Sequence, residues 1–129
     1  MPELRPANPP TRGRLIRSFR YAIRGVVMML ALQANARIHA GATIAVVALG
    51  FWLKLERWEW CAVVASIGLV WMAEGVNTGL EALTDLVSPN EHPLAGRAKD
   101  MAAGAVLCAA IAAAVIGVIV FVPKLLARW

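Results

Sequence analysis

Charge is scarce along most of this sequence and missing from three long stretches. Residues 60–73 and 101–122 contain no Asp, Glu, Lys, Arg or His, and 38–53 contains only His39. With 60% hydrophobic and 16% charged residues, the 129-residue chain lacks the polar surface that a soluble domain carries. At a rise of ~1.5 Å per residue, the run 101–122 reaches about 33 Å, enough to cross a ~30 Å hydrocarbon core. The composition describes an integral membrane protein of one domain. Cysteine is equally sparse. Cys61 and Cys108 are isolated inside apolar runs, which excludes a disulfide framework and a thiolate metal site. There is no Walker A sequence and no kinase glycine-rich loop. No internal repeat occurs, and no cleavable signal pattern is predicted, because the basic N-terminal stretch lacks a compact apolar core followed by a small-residue site.

Acidic residues are outnumbered eight to thirteen, giving a net charge of +5. The cations lie beside the apolar runs, so anionic lipid headgroups rather than nucleic acid are the expected partner. Arg5, Arg12, Arg14, Arg17, Arg20, Arg24 and Arg37 precede the first run, and Arg97 and Lys99 lie between the second and third. Lys54, Arg57, Lys124 and Arg128 fall on the other side. By the positive-inside rule the N-terminus and the second loop are cytoplasmic.

The expected organisation is all-α. Residues 1–13, with Pro2, Pro6, Pro9 and Pro10, read as a disordered leader, and 14–129 as the membrane domain. A helix over about 14–33 places its arginines opposite Leu15, Ile16, Phe19, Ile23 and Val27, the pattern of an amphipathic helix lying in the membrane interface. Three spans follow, over about 35–54, 59–87 and 94–122. Trp58 and Trp60 form an aromatic belt at the external turn. Pro93 suits the first turn of the last helix, and Pro123 is expected to end it. Gly75 with Gly79, and the row Ala105, Ala109, Ala113 and Gly117, have helix-packing spacing. Three spans offer few interior positions for polar groups, which favours an oligomer.

The stretch WMAEGVNTGLEALTDLV, residues 71–87, continues an apolar run too short to cross a membrane alone, so its helix must run on through Glu74. Glu74, Asn77, Thr78, Glu81 and Asp85 share an arc of about 100° on an ideal helix. An ionisable side chain at the edge of the hydrocarbon is costly and marks a functional candidate. Clustered carboxylates repel one another unless cations neutralise them. Hard oxygen donors suit Mg²⁺, which commonly takes one or two carboxylates plus substrate phosphates. Lys99 and Asp100, expected at the start of the third span, add a phosphate-type lysine near a helix N-terminus. His92 lies in the loop that would cover a nucleotide, whereas His39 reads as a packed or interfacial histidine. Together these residues point to metal–nucleotide chemistry on a lipid hydroxyl.

The motifs EGVNTGLEALTDLV and HPLAGRAKDMAAGAVL, supported by SFRYAIRG and RIH, resemble the small prokaryotic diacylglycerol kinases, including the undecaprenol kinases. The resemblance covers about residues 14–124. It implies a homotrimer in the bacterial inner membrane, with active sites shared between subunits, phosphorylating diacylglycerol or undecaprenol with ATP and Mg²⁺. It implies Glu74 as the base toward the lipid hydroxyl, Glu81 as a metal ligand that also meets ATP, and Lys99 and Asp100 at the nucleotide phosphates. Asn77 and Asp85 match the polar wall of the site. Arg14, Tyr21, Asn90, Glu91 and His92 match further nucleotide-contacting positions, and Arg14 also approaches the lipid headgroup. One position departs: where the family has a second metal-binding glutamate, this chain has Gln33. The alternatives are an inactive family member, or a non-enzymatic pore or proton relay lined by Glu74 and Glu81. A pore gives no reason for the AKD motif or for Tyr21 and Arg14.

Overall fold

The computed structural model describes residues 12–128, which among them contain helices and turns and no strand. The helices are α1 (Arg12–Leu32), α2 (Ala34–Trp52), α3 (Arg57–Val87) and α4 (Pro93–Leu126). The leader expected over 1–13 lies outside the described residues except for Arg12 and Gly13, which open α1. Helices α2, α3 and α4 are each long and apolar enough to cross a membrane. The chain forms two units, Met1–Leu32 and Gln33–Trp129.

In the first unit, the Ser18 hydroxyl donates to the Arg14 carbonyl (3.0 Å), a bond back to the preceding turn that a helical serine readily makes. The Arg20 guanidinium lies 5.9 Å from the centroid of the Tyr21 ring. The helix stops at Leu32, one residue before the expected end. Gln33 takes extended angles (φ −103°, ψ 121°) and stands as the N-cap of α2.

In the second unit, α2 and α3 join through a tight turn. The Lys54 amide donates to the Phe51 carbonyl and the Leu55 amide to the Gly50 carbonyl. Lys54 has φ 53°, so this is a Schellman closure with lysine in the left-handed position usually held by glycine. Gly50 is required for a different reason. A Cβ there would sit 2.8 Å from the Trp60 ring and 3.1 Å from Leu55, so any side chain would push the indole off the helix.

Helix α3 buries one continuous stripe: Glu59, Val63, Ser66, Val70, Glu74 and Asn77. The steps of three and four residues keep these on one face. Helix α4 answers with Ala102, Val106, Ala109, Val120 and Phe121. In lipid, tails are as apolar as leucine, so close van der Waals packing and interhelical hydrogen bonds hold helices together. The small-residue rows are only partly used within this unit. Ala109 is buried and Ala113 and Gly117 are half-buried, but Ala105, Gly75 and Gly79 are exposed. A strict four-residue row drifts by about 40° per step around a helix of 3.6 residues per turn, so it leaves the seam within a few steps.

Proline 123 does not end α4, contrary to the expectation; the helix continues to Leu126. The missing N–H costs a single ladder bond, and the Pro123 carbonyl still accepts from the Ala127 amide (3.0 Å). The added turn carries Lys124, whose ammonium meets Glu59 at 3.0 Å in a largely buried pair. The same Glu59 oxygen also accepts the Glu56 backbone amide. Removing one partner of a buried pair leaves an uncompensated charge. Lys124→Met is therefore expected to lower the thermal midpoint in detergent by roughly 5 °C or more, with a smaller loss in the Lys124→Met, Glu59→Gln double variant, read by a melt of both proteins.

Candidate active site

Along the buried stripe of α3 the chemistry changes at Glu74. Between Glu59, paired with Lys124 at the α2–α3 turn, and Glu74 the stripe is Val63, Ser66 and Val70. Toward the α3–α4 loop it becomes Glu74, Asn77 and then half-buried Glu81. The helix geometry that builds a core face in one half thus builds a polar cluster in the other.

Glu74 is 1% exposed, and its Oε2 has no hydrogen-bond partner. Asn77 Oδ1 and Thr78 Oγ1 are likewise buried and unpartnered. Buried polar groups are rarely left unsatisfied, so three within five residues point to groups that the chain alone does not supply. Glu81 is satisfied differently. One carboxylate oxygen accepts from Asn77 Nδ2 (3.1 Å) and the other from Gln33 Nε2 (3.1 Å). The first is a four-residue contact within α3. The second brings in a residue 48 positions away, carried to α3 because α2 folds back antiparallel to it.

These residues present hard oxygens only: Glu74 Oε2, Asn77 Oδ1, the Glu81 carboxylate and the carbonyl of Gln33. That donor set fits Mg²⁺. Among the described residues no three His, Cys, Asp or Glu side chains gather into a metal cage, so a metal here would draw on amide and substrate oxygens as well.

Asp85 continues the row but belongs to a second, open part of the site, where its carboxylate binds the Lys99 ammonium. Lys99 is not at the helix start as expected. It is the seventh residue of α4, about 9 Å along the axis from the first, so it acts as a point charge away from the helix-terminal amides. His92 occupies the N-cap itself, its Nδ1 accepting from the Leu94 amide (3.2 Å) with Pro93 in the first turn. A hollow of about 610 Å³ opens here, with Asp85, Asn90, Glu91, His92 and Lys99 around it.

Of the sequence-predicted residues, the fold brings Gln33, Asn77 and Glu81 into one hydrogen-bonded group on the stripe that also carries Glu74. It sets Asp85, Asn90, Glu91, His92 and Lys99 around the hollow. Asp100 is exposed and lines neither. Arg14 and Tyr21 lie on α1, in the first unit. Thr78, and Thr84 and Ser88 at the hollow, were not among the expected site residues. Thr78 was visible on the polar arc, whereas Thr84 and Ser88 carried no signal beyond adjacency to the loop.

A further cavity, about 280 Å³, lies between α2, α3 and α4 and is lined by His39, Val63, Val70, Ala113, Gly117 and Phe121 among others. Its walls are apolar, and the hydroxyls of Thr43 and Ser66 there are bonded to carbonyls of their own helices. It has none of the charged groups that phosphate chemistry needs.

With this geometry in view, the similarity to known proteins is specific. The undecaprenol kinase of Bacillus subtilis (strain 168) is 39% identical over 112 residues, covering 87% of this chain and 91% of that protein. The diacylglycerol kinase of Synechocystis sp. is 44% identical over 113 residues, covering 87% of this chain but only 65% of that longer protein. The diacylglycerol kinase of Escherichia coli (strain K12) is 31% identical over 102 residues, or 79% of this chain and 84% of that one. The sequence profile of the prokaryotic diacylglycerol kinases matches residues 20–121, a span that includes α2, α3 and the site just described. The protein thus belongs to the prokaryotic diacylglycerol kinase family.

Proposed function

We propose that this lipid kinase transfers the γ-phosphoryl group of ATP to the primary hydroxyl of a membrane lipid, diacylglycerol or undecaprenol. The observation that carries the reading is the buried, unpartnered Glu74 oxygen on the stripe that continues to Asn77 and Glu81. Glu74 takes the proton of the attacking hydroxyl. A base at the depth where the lipid alcohol sits must reach a proton without drawing water into the hydrocarbon, and a carboxylate on a helix seam does so. Asn77 orients the headgroup through its free carbonyl oxygen. Lys99 holds the phosphates as a point charge, with Asp85 fixing its position, while Asn90, Glu91 and His92 border the nucleotide. Arg14 and Tyr21, on a surface helix lying in the interface, are further candidates for nucleotide contact.

Glu81 and Gln33 would hold Mg²⁺, which when bound neutralises charge developing on the transferred phosphoryl group. The protomers form a trimer in the inner membrane with the N-terminus cytoplasmic. What supports an assembly is the exposed pair Gly75 and Gly79, whose small-residue spacing lets a neighbouring helix approach closely.

The test is transfer of radiolabel from γ-labelled ATP into separate vesicles containing diacylglycerol or undecaprenol. One labelled lipid product is expected, and labelling of neither would refute the reading. Mixing Glu74→Gln with Lys99→Ala protomers should restore part of the activity if each site draws these residues from different subunits; no rescue would restrict the site to one chain.

Gln33 allows a sharper test. Its amide now donates to Glu81. Gln33→Glu would set two carboxylates at that contact, which repel until a cation joins them. The expected result is a severalfold lower Mg²⁺ concentration for half-maximal activity, with a thermal midpoint that falls without metal and recovers with it. Gln33→Leu should raise the Mg²⁺ requirement. An identical titration for all three proteins would place Gln33 outside the metal site.

A further inference from the structure

We propose that Thr43 and Trp71 are a positioning pair that sets the register of α2 against α3 and thereby holds Gln33 on Glu81. The inference rests on the metal-site reading of Gln33 and Glu81 given above. The Trp71 indole N–H donates to the Thr43 hydroxyl at 3.0 Å, and that hydroxyl donates in turn to the His39 carbonyl at 2.7 Å. Both side chains are half-buried. In the hydrocarbon no water replaces a lost partner, so the indole hydrogen depends on the threonine oxygen, which both donates and accepts.

The spacing makes this bond more than a local contact. Gln33 and Thr43 are ten residues apart on one side of the helix pair, and Trp71 and Glu81 are ten apart on the other. Antiparallel helices rising ~1.5 Å per residue then satisfy both ties at once, about 15 Å apart. A slide of either helix by one turn breaks both. At the far end, Gly50 against Trp60 leaves no freedom for a closer approach. Gln33 itself has an extended backbone and sits at the N-cap of α2 with no side-chain cap bond, its side-chain amide donating to Glu81 instead. Val46 and Leu49 pack on the core toward the α2–α3 turn, and on the Gln33 side of them the polar tie within the span is Thr43 on Trp71.

The test uses the full chain in detergent. With ¹⁵N-labelled tryptophan, the Trp71 indole signal is identified by its loss in Trp71→Phe. In Thr43→Val that signal alone should move and exchange faster, while in Thr43→Ser it should stay close to wild type. Mn²⁺ affinity, read by electron paramagnetic resonance with a non-hydrolysable ATP analogue, should weaken about threefold in Thr43→Val and in Trp71→Phe. The double variant should be no weaker than either single one, since both act through one bond, and Thr43→Ser should restore the affinity. Maximal phosphorylation at saturating metal should change less than twofold. A purely structural role would lower thermal midpoints and leave metal affinity alone; that result, or an additive double variant, overturns the proposal. If the wild-type protein labels neither lipid yet its Mn²⁺ affinity follows the Thr43–Trp71 bond, the kinase assignment falls and the positioning role stands.

Discussion

Glu74→Gln is expected to lower the turnover number by at least about 100-fold while leaving the affinity for ATP within twofold. General bases contribute roughly 10² to 10⁴ in rate, and the amide is nearly isosteric but cannot accept the lipid hydroxyl proton. Glu74 is 1% exposed with an unpartnered oxygen, so the wild-type chain carries the cost of burying a polar oxygen with no hydrogen-bond partner. Replacing that carboxylate with a neutral group should raise the thermal midpoint even as activity disappears. Such opposite changes mark a group kept for chemistry rather than for folding. The measurement is a steady-state assay paired with a thermal melt in the same detergent. Turnover within tenfold of wild type would remove Glu74 from the role of base.

The second large effect is expected at Lys99. Its ion pair with Asp85 is open, the two side chains being 38% and 65% exposed. Pairs of that kind contribute about 0–1 kcal/mol to stability, so Lys99→Met should leave the thermal midpoint nearly unchanged. Its effect on ATP should be far larger. A hydrogen bond to a charged group is worth about 1.5–3 kcal/mol, which corresponds to roughly a 10- to 100-fold loss in kcat/KM for ATP. Asp85→Asn should cost less than about tenfold, because the lysine keeps its charge and loses only its anchor. Lys99→Met with kcat/KM for ATP within twofold of wild type would mean that the phosphates bind elsewhere than at this hollow.

Features set by local periodicity are legible in the sequence. The charge-free runs required helices of crossing length, and α2, α3 and α4 are such helices. The three- and four-residue steps from Glu74 through Asn77 to Glu81 required one face, because a helix returns to the same side after 3.6 residues wherever it sits. Pro93 in the first turn of α4 follows from a ring whose fixed φ and missing N–H suit that turn.

What remained was decided by which faces meet. Nothing in the sequence pairs Glu81 with Gln33, 48 residues earlier; the antiparallel register of α2 on α3 does. Only packing makes Glu59 the buried partner of Lys124, and Lys124 lies on the turn that carries α4 past Pro123. Lys99 reaches Asp85 although it lies well inside its helix, because the loop after Val87 returns α4 alongside α3. Periodicity is a property of single segments and can be counted along the chain. The partner of a carboxylate depends on the register between segments, which is fixed only when their side chains pack together.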